Sequence, residues 1–378
     1  MKRSGKKILT THTGSLPRPR DLLDLVDAKE KGDLLDLERF DASARAAVAR
    51  IVEMQADTGL DVVSDGEQSK PGYATYAKDR LTGFEGESTV RMQIDLEEFP
   101  EFSSQATARY QYVKRPACNG PIAWKDFGAV QKDIVNLKSA IKETPVEEAF
   151  MTAASPGVIA LFLNNEYFPS EEDYLYALAE VMRDEYRAIV EAGFVLQIDC
   201  PDLAMGRNSQ FAHLSLEDFR KVVELHVEVL NYALEDIQPE QTRLHLCWGN
   251  REGPHHYDIP IKDIIDLVLR ARPAAISFPA SNPRHAHEWK VWRDVKLPDD
   301  KVIIPGVLDT TTNYVEHPEL VAERIVRYAG LVGHEKVIAG TDCGFGTFAR
   351  TSRVDPKIAW LKLKSLVEGA RLASEELG

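Results

Sequence analysis

Short apolar runs alternate with longer stretches of 3.6-residue periodicity along most of the chain. That alternation predicts strands separated by amphipathic helices. Strands are expected at Ile8 to Thr13, Leu60 to Ser64, Phe150 to Ala154, Phe194 to Ile198, Thr242 to Leu246, Ala275 to Phe278, Val302 to Val307 and Val337 to Gly340. Helices are expected at about Asp36 to Thr58, where Ala44, Ala47, Val48, Ile51, Val52 and Met54 make one face, and at Ala129 to Lys142 and Glu171 to Ala192. Further helices follow at Leu216 to Leu234, Ile261 to Ala271, Glu319 to Leu331 and Pro356 to Ala373. Residues 80 to 115 break the rhythm. There Val90, Met92 and Ile94 alternate, as do Tyr110 and Tyr112, which reads as an inserted β-hairpin arm.

Strands alternating with long helices imply a parallel sheet with helical crossovers. The length, 378 residues, favours a closed (β/α)8 TIM-type barrel over a doubly wound sheet. No repeat, low-complexity tract or linker divides the chain, so residues 1–378 are read as one barrel domain with an arm at about 80–115. Including Ala117 to Ile122, the strand count is nine, one more than a barrel needs, and the surplus is assigned to the arm or a β-extension.

Composition narrows the function. A net charge of −14, from 46 basic and 60 acidic residues, argues against nucleic-acid and anionic-membrane partners. No apolar run approaches the ~20 residues of a membrane span, and the basic N-terminus lacks the apolar core of a signal peptide. Cys118, Cys200, Cys247 and Cys343 are too sparse for a disulfide scaffold. They suit a reduced, cytoplasmic setting in which thiols are free to bind metal.

Polar or Gly-rich clusters follow the strands at 14–18, 65–70, 199–202, 247–250, 279–284, 309–313 and 341–347. In a parallel barrel such loops gather on the C-terminal face, where barrel enzymes keep their chemistry. Two of them carry metal-ligand chemistry. Arg243 to Asn250 reads R-L-H-L-C-W-G-N, and strand alternation points His245 and Cys247 the same way. Alone, such a pair is more often packing than ligation. Cys343, at the end of another short strand, supplies a third ligand of the kind zinc takes. Two protein thiolates make zinc a poor Lewis acid for hydrolysis and leave an added thiolate electron-rich. Gly344 to Ala349 matches G-x-G-x-x-A, but Arg350 to Pro356 is a poor helix start, so a dinucleotide site is rejected.

T-T-H-T-G-S-L-P-R-P, S-D-G-E-Q, L-Q-I-D-C-P-D-L, H-L-C-W-G-N, N-P-R-H-A-H-E-W, G-V-L-D-T-T-T-N-Y-V-E-H-P-E-L-V-A-E-R-I and G-T-D-C-G-F-G-T occur in order along the chain. Together they resemble the cobalamin-independent methionine synthase family, and most closely its short single-barrel branch, which includes epoxyalkane:coenzyme M transferase. The resemblance implies a zinc barrel that alkylates a thiol, with ligands at His245, Cys247 and Cys343. It also implies that Glu67 and Asp199 match positions holding the homocysteine ammonium. Pro279 stands where the larger synthases have a Glu ligand, and Thr311 where they have a His that helps the folate amine leave. The fourth metal position then falls to the substrate thiol, to water or to Cys200.

Those departures favour a self-activated electrophile. The expected function is opening of an epoxyalkane by coenzyme M. The alternatives are methyl transfer to homocysteine, or a zinc barrel that only binds a thiol. Expected partners are a small thiol and a small alkyl donor, within a homo-oligomer. Asp199, His12 and His317 are the expected catalytic groups, the two histidines as proton donors to a nascent alkoxide. Ser15, Arg18, Glu67, Trp248 and Arg284 are expected to bind substrate, with Arg18, Lys70 or Arg284 facing a sulfonate.

Overall fold

The computed structural model describes residues 1–33, 36–89, 93–108, 114–350 and 352–378. Six parallel strands form one sheet in the order β1 (Val62–Ser64), β4 (Glu148–Ala154), β5 (Val195–Asp199), β6 (Thr242–His245), β7 (Ala275–Pro279) and β8 (Val302–Gly306). Two bridged segments close the ring. Ile303 and Gly306 pair in parallel with Val337 and Gly340, and Ala339 pairs with Thr10. The Thr10 carbonyl in turn accepts the N–H groups of Asp61 and Val62 at 3.2 and 3.0 Å. Six strands and two segments make the eight staves of a (β/α)8 TIM-type barrel. Every stave is parallel, so Ser64, Ala154, Asp199, His245, Pro279 and Gly306 all end on one face.

The helices in chain order are α1 (Arg20–Lys31), α2 (Leu37–Thr58), α3 (Ala77–Arg80), α4 (Ile94–Glu97), α5 (Pro100–Ala108), α6 (Gly128–Glu143), α7 (Pro156–Phe162), α8 (Glu171–Glu191), α9 (Leu216–Ala233), α10 (Ile265–Val268), α11 (Pro318–Val332) and α12 (Pro356–Leu377). Their ends follow local chemistry. The Asp36 side chain accepts the Arg39 N–H, and Gly59 turns the chain out of α2 at φ +92°. Ser170 and Ser215 cap α8 and α9 in the same way. The apolar stripe read on α2 is the face it buries, including Ala44, Ala47, Val48, Ile51 and Val52.

Three local expectations are revised. Residues 261–271 hold a 3-10 turn (Ile261–Asp263) and the four-residue α10, in place of one long helix. Lys262, Asp266 and Arg270 are exposed while Ile261, Ile264, Ile265 and Val268 are buried, so the helical period is present in the sequence but the backbone realises it only as short turns. The sequence pattern shows no sign of α7, because its Pro156, Val158, Ile159, Ala160 and Phe162 are buried together and leave no polar face. Ile94, read as part of an extended alternation, instead begins α4. Val90, Met92, Tyr110 and Tyr112, the rest of that pattern, lie outside the described residues.

The inserted segment does carry an antiparallel pair, β2 (Phe84–Glu85) with β3 (Ala117–Cys118), which accounts for the surplus strand. Between them, Asp95 of α4 is fully buried and accepts a 2.6 Å bond from Arg251, in the loop after β6. This ion pair seats the insertion on the C-terminal face. Among the described residues no helix is long and apolar enough to cross a membrane.

Candidate metal centre and active-site cleft

His245 is the last residue of β6, and the chain turns back sharply just beyond it. Gly249, at φ +101°, permits the turn, and its N–H reaches Cys247 Sγ at 3.2 Å. Cys343 arrives from the loop after the stave at 337–340. Its sulfur lies 2.9 Å from Cys247 Sγ and 3.5 Å from His245 Nε2. Ser277 Oγ, on the neighbouring strand, sits 3.3 Å from the other imidazole nitrogen and orients the ring. The three ligand atoms lie within 4.8 Å of one another, and all three residues are buried.

Both thiols are free, yet they face each other closely. The hydrogen bond from Cys343 pulls Cys247 toward the thiolate, while the same contact and burial hold the Cys343 proton in place. Two sulfurs sharing one proton beside an imidazole are a donor set that a borderline-soft dication would satisfy by replacing that proton. The residues fit zinc.

These ligands line a cleft of about 410 Å³ together with Glu67 and Asp199, the latter in register with His245 on the neighbouring strand. Glu67 takes a left-handed backbone, φ +54°, that a non-glycine residue seldom adopts. Its Oε1 accepts the Thr152 hydroxyl at 3.1 Å, and Oε2 has no partner among the described residues. A side chain at Gly14 would meet Glu67 Oε1 at 2.5 Å, so only glycine leaves the carboxylate room. Asp199 Oδ1 accepts the Gln197 amide at 2.7 Å. Burial pushes Glu67 up to about 7, against the pull of Lys70. It likewise pushes Asp199 up to about 6, against His245.

The remaining sequence candidates divide. Ser15 lines this cleft, and its hydroxyl accepts the Gly346 N–H at 3.3 Å. His12 does not line it. Its Nε2 bonds Gln55 at 2.8 Å, its Nδ1 accepts the Gly14 N–H at 3.2 Å, and burial lowers it to about 3, so it is a neutral, committed ring rather than a proton donor. His317 caps α11 by accepting the Glu319 N–H at 3.2 Å, away from the cleft. Arg18 directs its guanidinium at the main-chain oxygens of Glu67, Lys70 and Gly346. Lys70 Nζ is held by the Thr152 carbonyl at 2.6 Å. Neither cation lines the cleft.

Trp248 is buried behind the metal ligands, stacked on His285 with ring centroids 4.1 Å apart. Cys200 sits against the Ile198 carbonyl, outside the ligand group. Arg284, Pro279 and Thr311 line a second, adjoining cleft. Thr13, Tyr73, Asn250 and Thr347 line the first cleft without having been singled out. Asn250 ends the H-L-C-W-G-N block and fastens it to the Gly344 carbonyl at 2.7 Å. Tyr73 had no local signal; its position comes from packing against Phe162 and Phe348.

Comparison with known proteins gives end-to-end similarity. A methionine synthase of Sulfolobus acidocaldarius is 26% identical over 371 residues, covering 97% of this chain and 93% of that protein. One from Saccharolobus solfataricus is 27% identical over 372 residues, covering 97% and 95%. Among solved structures, a B12-independent methionine synthase from Shewanella sp. W3-18-1, in complex with selenomethionine, superposes with a TM-score of 0.73 at 20% identity over 98% and 99% of the two chains. A putative vitamin-B12-independent methionine synthase from Listeria monocytogenes gives 0.65 at 19% identity, over 98% and 99%. No protein-family model matches the chain. The sequence similarity is thus to methionine synthases and the fold similarity to B12-independent ones, and the narrower resemblance to epoxyalkane:coenzyme M transferase is not among these findings.

Proposed function

We propose that this chain is a zinc-dependent S-methyltransferase that methylates homocysteine without cobalamin. One observation carries the reading: a buried carboxylate pair, Glu67 and Asp199, shares a small cleft with His245, Cys247 and Cys343. Glu67 Oε2 is left without a partner among the described residues. Such a cleft favours a ligand with an ammonium at one end and a thiol at the other. The methionine synthases to which the chain is similar support the same choice.

The preference between the two sequence-based expectations is therefore reversed. A sulfonate in this cleft would face two carboxylates; of the cations expected to offset them, Arg18 and Lys70 spend their donors on main-chain oxygens and Thr152, and Arg284 lines the adjoining cleft instead. Epoxide opening by coenzyme M loses its electrostatic basis in this cleft.

Zinc held by His245, Cys247 and Cys343 would favour the thiolate form of a substrate thiol. The chain's own residues do the rest. Glu67 and Asp199 fix the ammonium, which orients the sulfur toward the ligand wall, and buried surroundings exclude water that would solvate and blunt the nucleophile. A lone pair on the sulfur forms the new S–C bond with the donor methyl. The C–X bond breaks with its pair leaving on X, and the thiol proton passes to solvent.

Calorimetric titration of the zinc-loaded protein with homocysteine and with coenzyme M tests the proposal. Homocysteine should bind, and Glu67→Gln should weaken it by about ten- to a hundredfold, the worth of one charge-assisted contact. Binding of coenzyme M with no response to homocysteine would overturn it. The free thiols also suit the reduced cytoplasm expected for such an enzyme.

A further inference from the structure

Glu67 offers two carboxylate oxygens, and its surroundings treat them differently. Oε2 has no partner among the described residues, whereas Oε1 accepts the Thr152 hydroxyl at 3.1 Å. Thr152 is buried near the end of β4. Its hydroxyl oxygen lies 3.1 Å from Lys70 Nζ, which also holds the Thr152 carbonyl at 2.6 Å. Lys70 is buried as well, further along the loop that carries Glu67.

These three side chains form a relay whose direction is set by chemistry. An ammonium has donors and no acceptor, so Lys70 gives a proton to the Thr152 oxygen. The hydroxyl's own proton is then left for Glu67, and Oε1 must be the acceptor. Lys70 is itself held in place. Its Nζ sits over the Tyr76 ring, 4.8 Å from the centroid, and the Tyr76 hydroxyl bonds Glu185 at 3.0 Å. Gly14 packs against both partners of the Glu67–Thr152 bond, since a side chain there would also meet Thr152 Cγ2, at 2.8 Å. Burial raises Glu67, and Lys70 leads the groups that oppose it; Arg18 helps, while Asp199 and Asp65 act the other way. Neither Lys70 nor Thr152 lines the cleft, so any effect on a ligand passes through Glu67.

We infer that Lys70 and Thr152 are positioning residues that make this cleft select an amino thiol. The Lys70 ammonium, acting through the Thr152 hydroxyl, occupies Glu67 Oε1 and leaves Oε2 as the acceptor for a substrate ammonium. The inference rests on the methyl-transfer reading above and adds the residues that set its selectivity. It gives Lys70, expected from the sequence to face a sulfonate, the opposite task. It also assigns a role to Thr152, which no sequence motif singles out.

Calorimetry on the full zinc-loaded chain tests it, with homocysteine and with 4-mercaptobutanoate, the same thiol and carboxylate without the amine. The wild-type protein should prefer homocysteine. Thr152→Val, which keeps the shape and removes the hydroxyl, should retain zinc, weaken homocysteine about tenfold and leave 4-mercaptobutanoate unchanged. Thr152→Ser should restore the preference. Lys70→Gln, which keeps a donor and removes the charge, should give the same selective loss and secures the result if Thr152→Val misfolds. Combined with Glu67→Gln, Thr152→Val should have no further effect, because both act through one carboxylate. No preference in the wild-type protein, equal losses for the two thiols, no rescue by serine, or full additivity with Glu67→Gln would overturn the inference. So would a preference that survives both Thr152→Val and Lys70→Gln. Failure of homocysteine itself to bind the wild-type protein would instead sink the methyl-transfer reading.

Discussion

Arg18 donates to the main-chain oxygen of Glu67 twice, from Nη2 at 2.7 Å and from Nε at 3.2 Å. The same guanidinium bonds the Lys70 oxygen at 2.9 Å and the Gly346 oxygen at 2.8 Å. It therefore ties the loop after β1 to the loop that carries Cys343. Through that tie the left-handed Glu67 backbone keeps its carboxylate in the cleft. Arg18 is a positioning residue and not an anion anchor.

Arg18→Ala should accordingly destabilise the protein by about 3 kcal/mol, since it leaves buried carbonyls unpaired. It should also weaken homocysteine about tenfold through the displaced Glu67. Chemical denaturation and calorimetry check the two effects. Unchanged stability with altered binding of sulfonates alone would restore the anchor role.

The purified protein should hold about one zinc per chain. Cys247→Ala and Cys343→Ala should each lose it while keeping the circular dichroism of the barrel, because both residues lie beyond the strand ends at its mouth. Cys200→Ala should keep its zinc, since its sulfur lies against Ile198 and outside the ligand group. Elemental analysis reads all three.

Methionine, which carries the ammonium but no ionisable thiol, isolates the carboxylate pair. With Glu67 raised to about 7 and Asp199 to about 6, both are largely protonated at pH 5 and accept an ammonium poorly. Methionine should therefore bind more tightly as pH rises from about 5.5 to 7.5, and Glu67→Gln should flatten the profile. Affinity independent of pH in the wild-type protein would contradict the assigned burial of the pair.

His285 lies behind Trp248, with Nδ1 2.7 Å from Glu288 and Nε2 3.1 Å from Asp258. Burial opposes its charge, but those two carboxylates outweigh burial and raise it to about 9. A histidine whose folded pKa is raised stabilises fully below its unfolded value and loses that contribution as pH climbs through the folded one. Asp258 is buried too, but hydrogen bonds from His255 and His285 hold it below the usual range, so its contribution is lost as acid protonates it. The network should add stability, up to about 3 kcal/mol for His285, from about pH 4 to 6.5 and fade toward pH 9. Melting temperatures of His285→Gln and the wild-type protein should converge at the alkaline end.

Much of the architecture was legible in the residues alone. Alternating apolar runs and amphipathic helices marked the eight staves, because burial of a strand or a helix face leaves a period in the local sequence. Parallel staves end on one face, so the order of residues alone gathers the polar positions after strands, with His245, Cys247 and Cys343 among them, into one site. The packing of distant segments decided everything that depends on partners. α7 is buried on nearly all sides and so carries no period, whereas the run at 261–271 carries a helical period that its backbone follows only in short turns. Arg18, His12 and Lys70 read as available charge or proton donors, but their partners are main-chain oxygens, Gln55 and Thr152, supplied from elsewhere in the chain. The same packing removes Glu67 and Asp199 from water, raises their pKa values, and leaves Arg251 with idle donors beside a second cleft. Composition and periodicity report which residues prefer water; only the fold decides which of them are denied it, and what each then finds within hydrogen-bond reach.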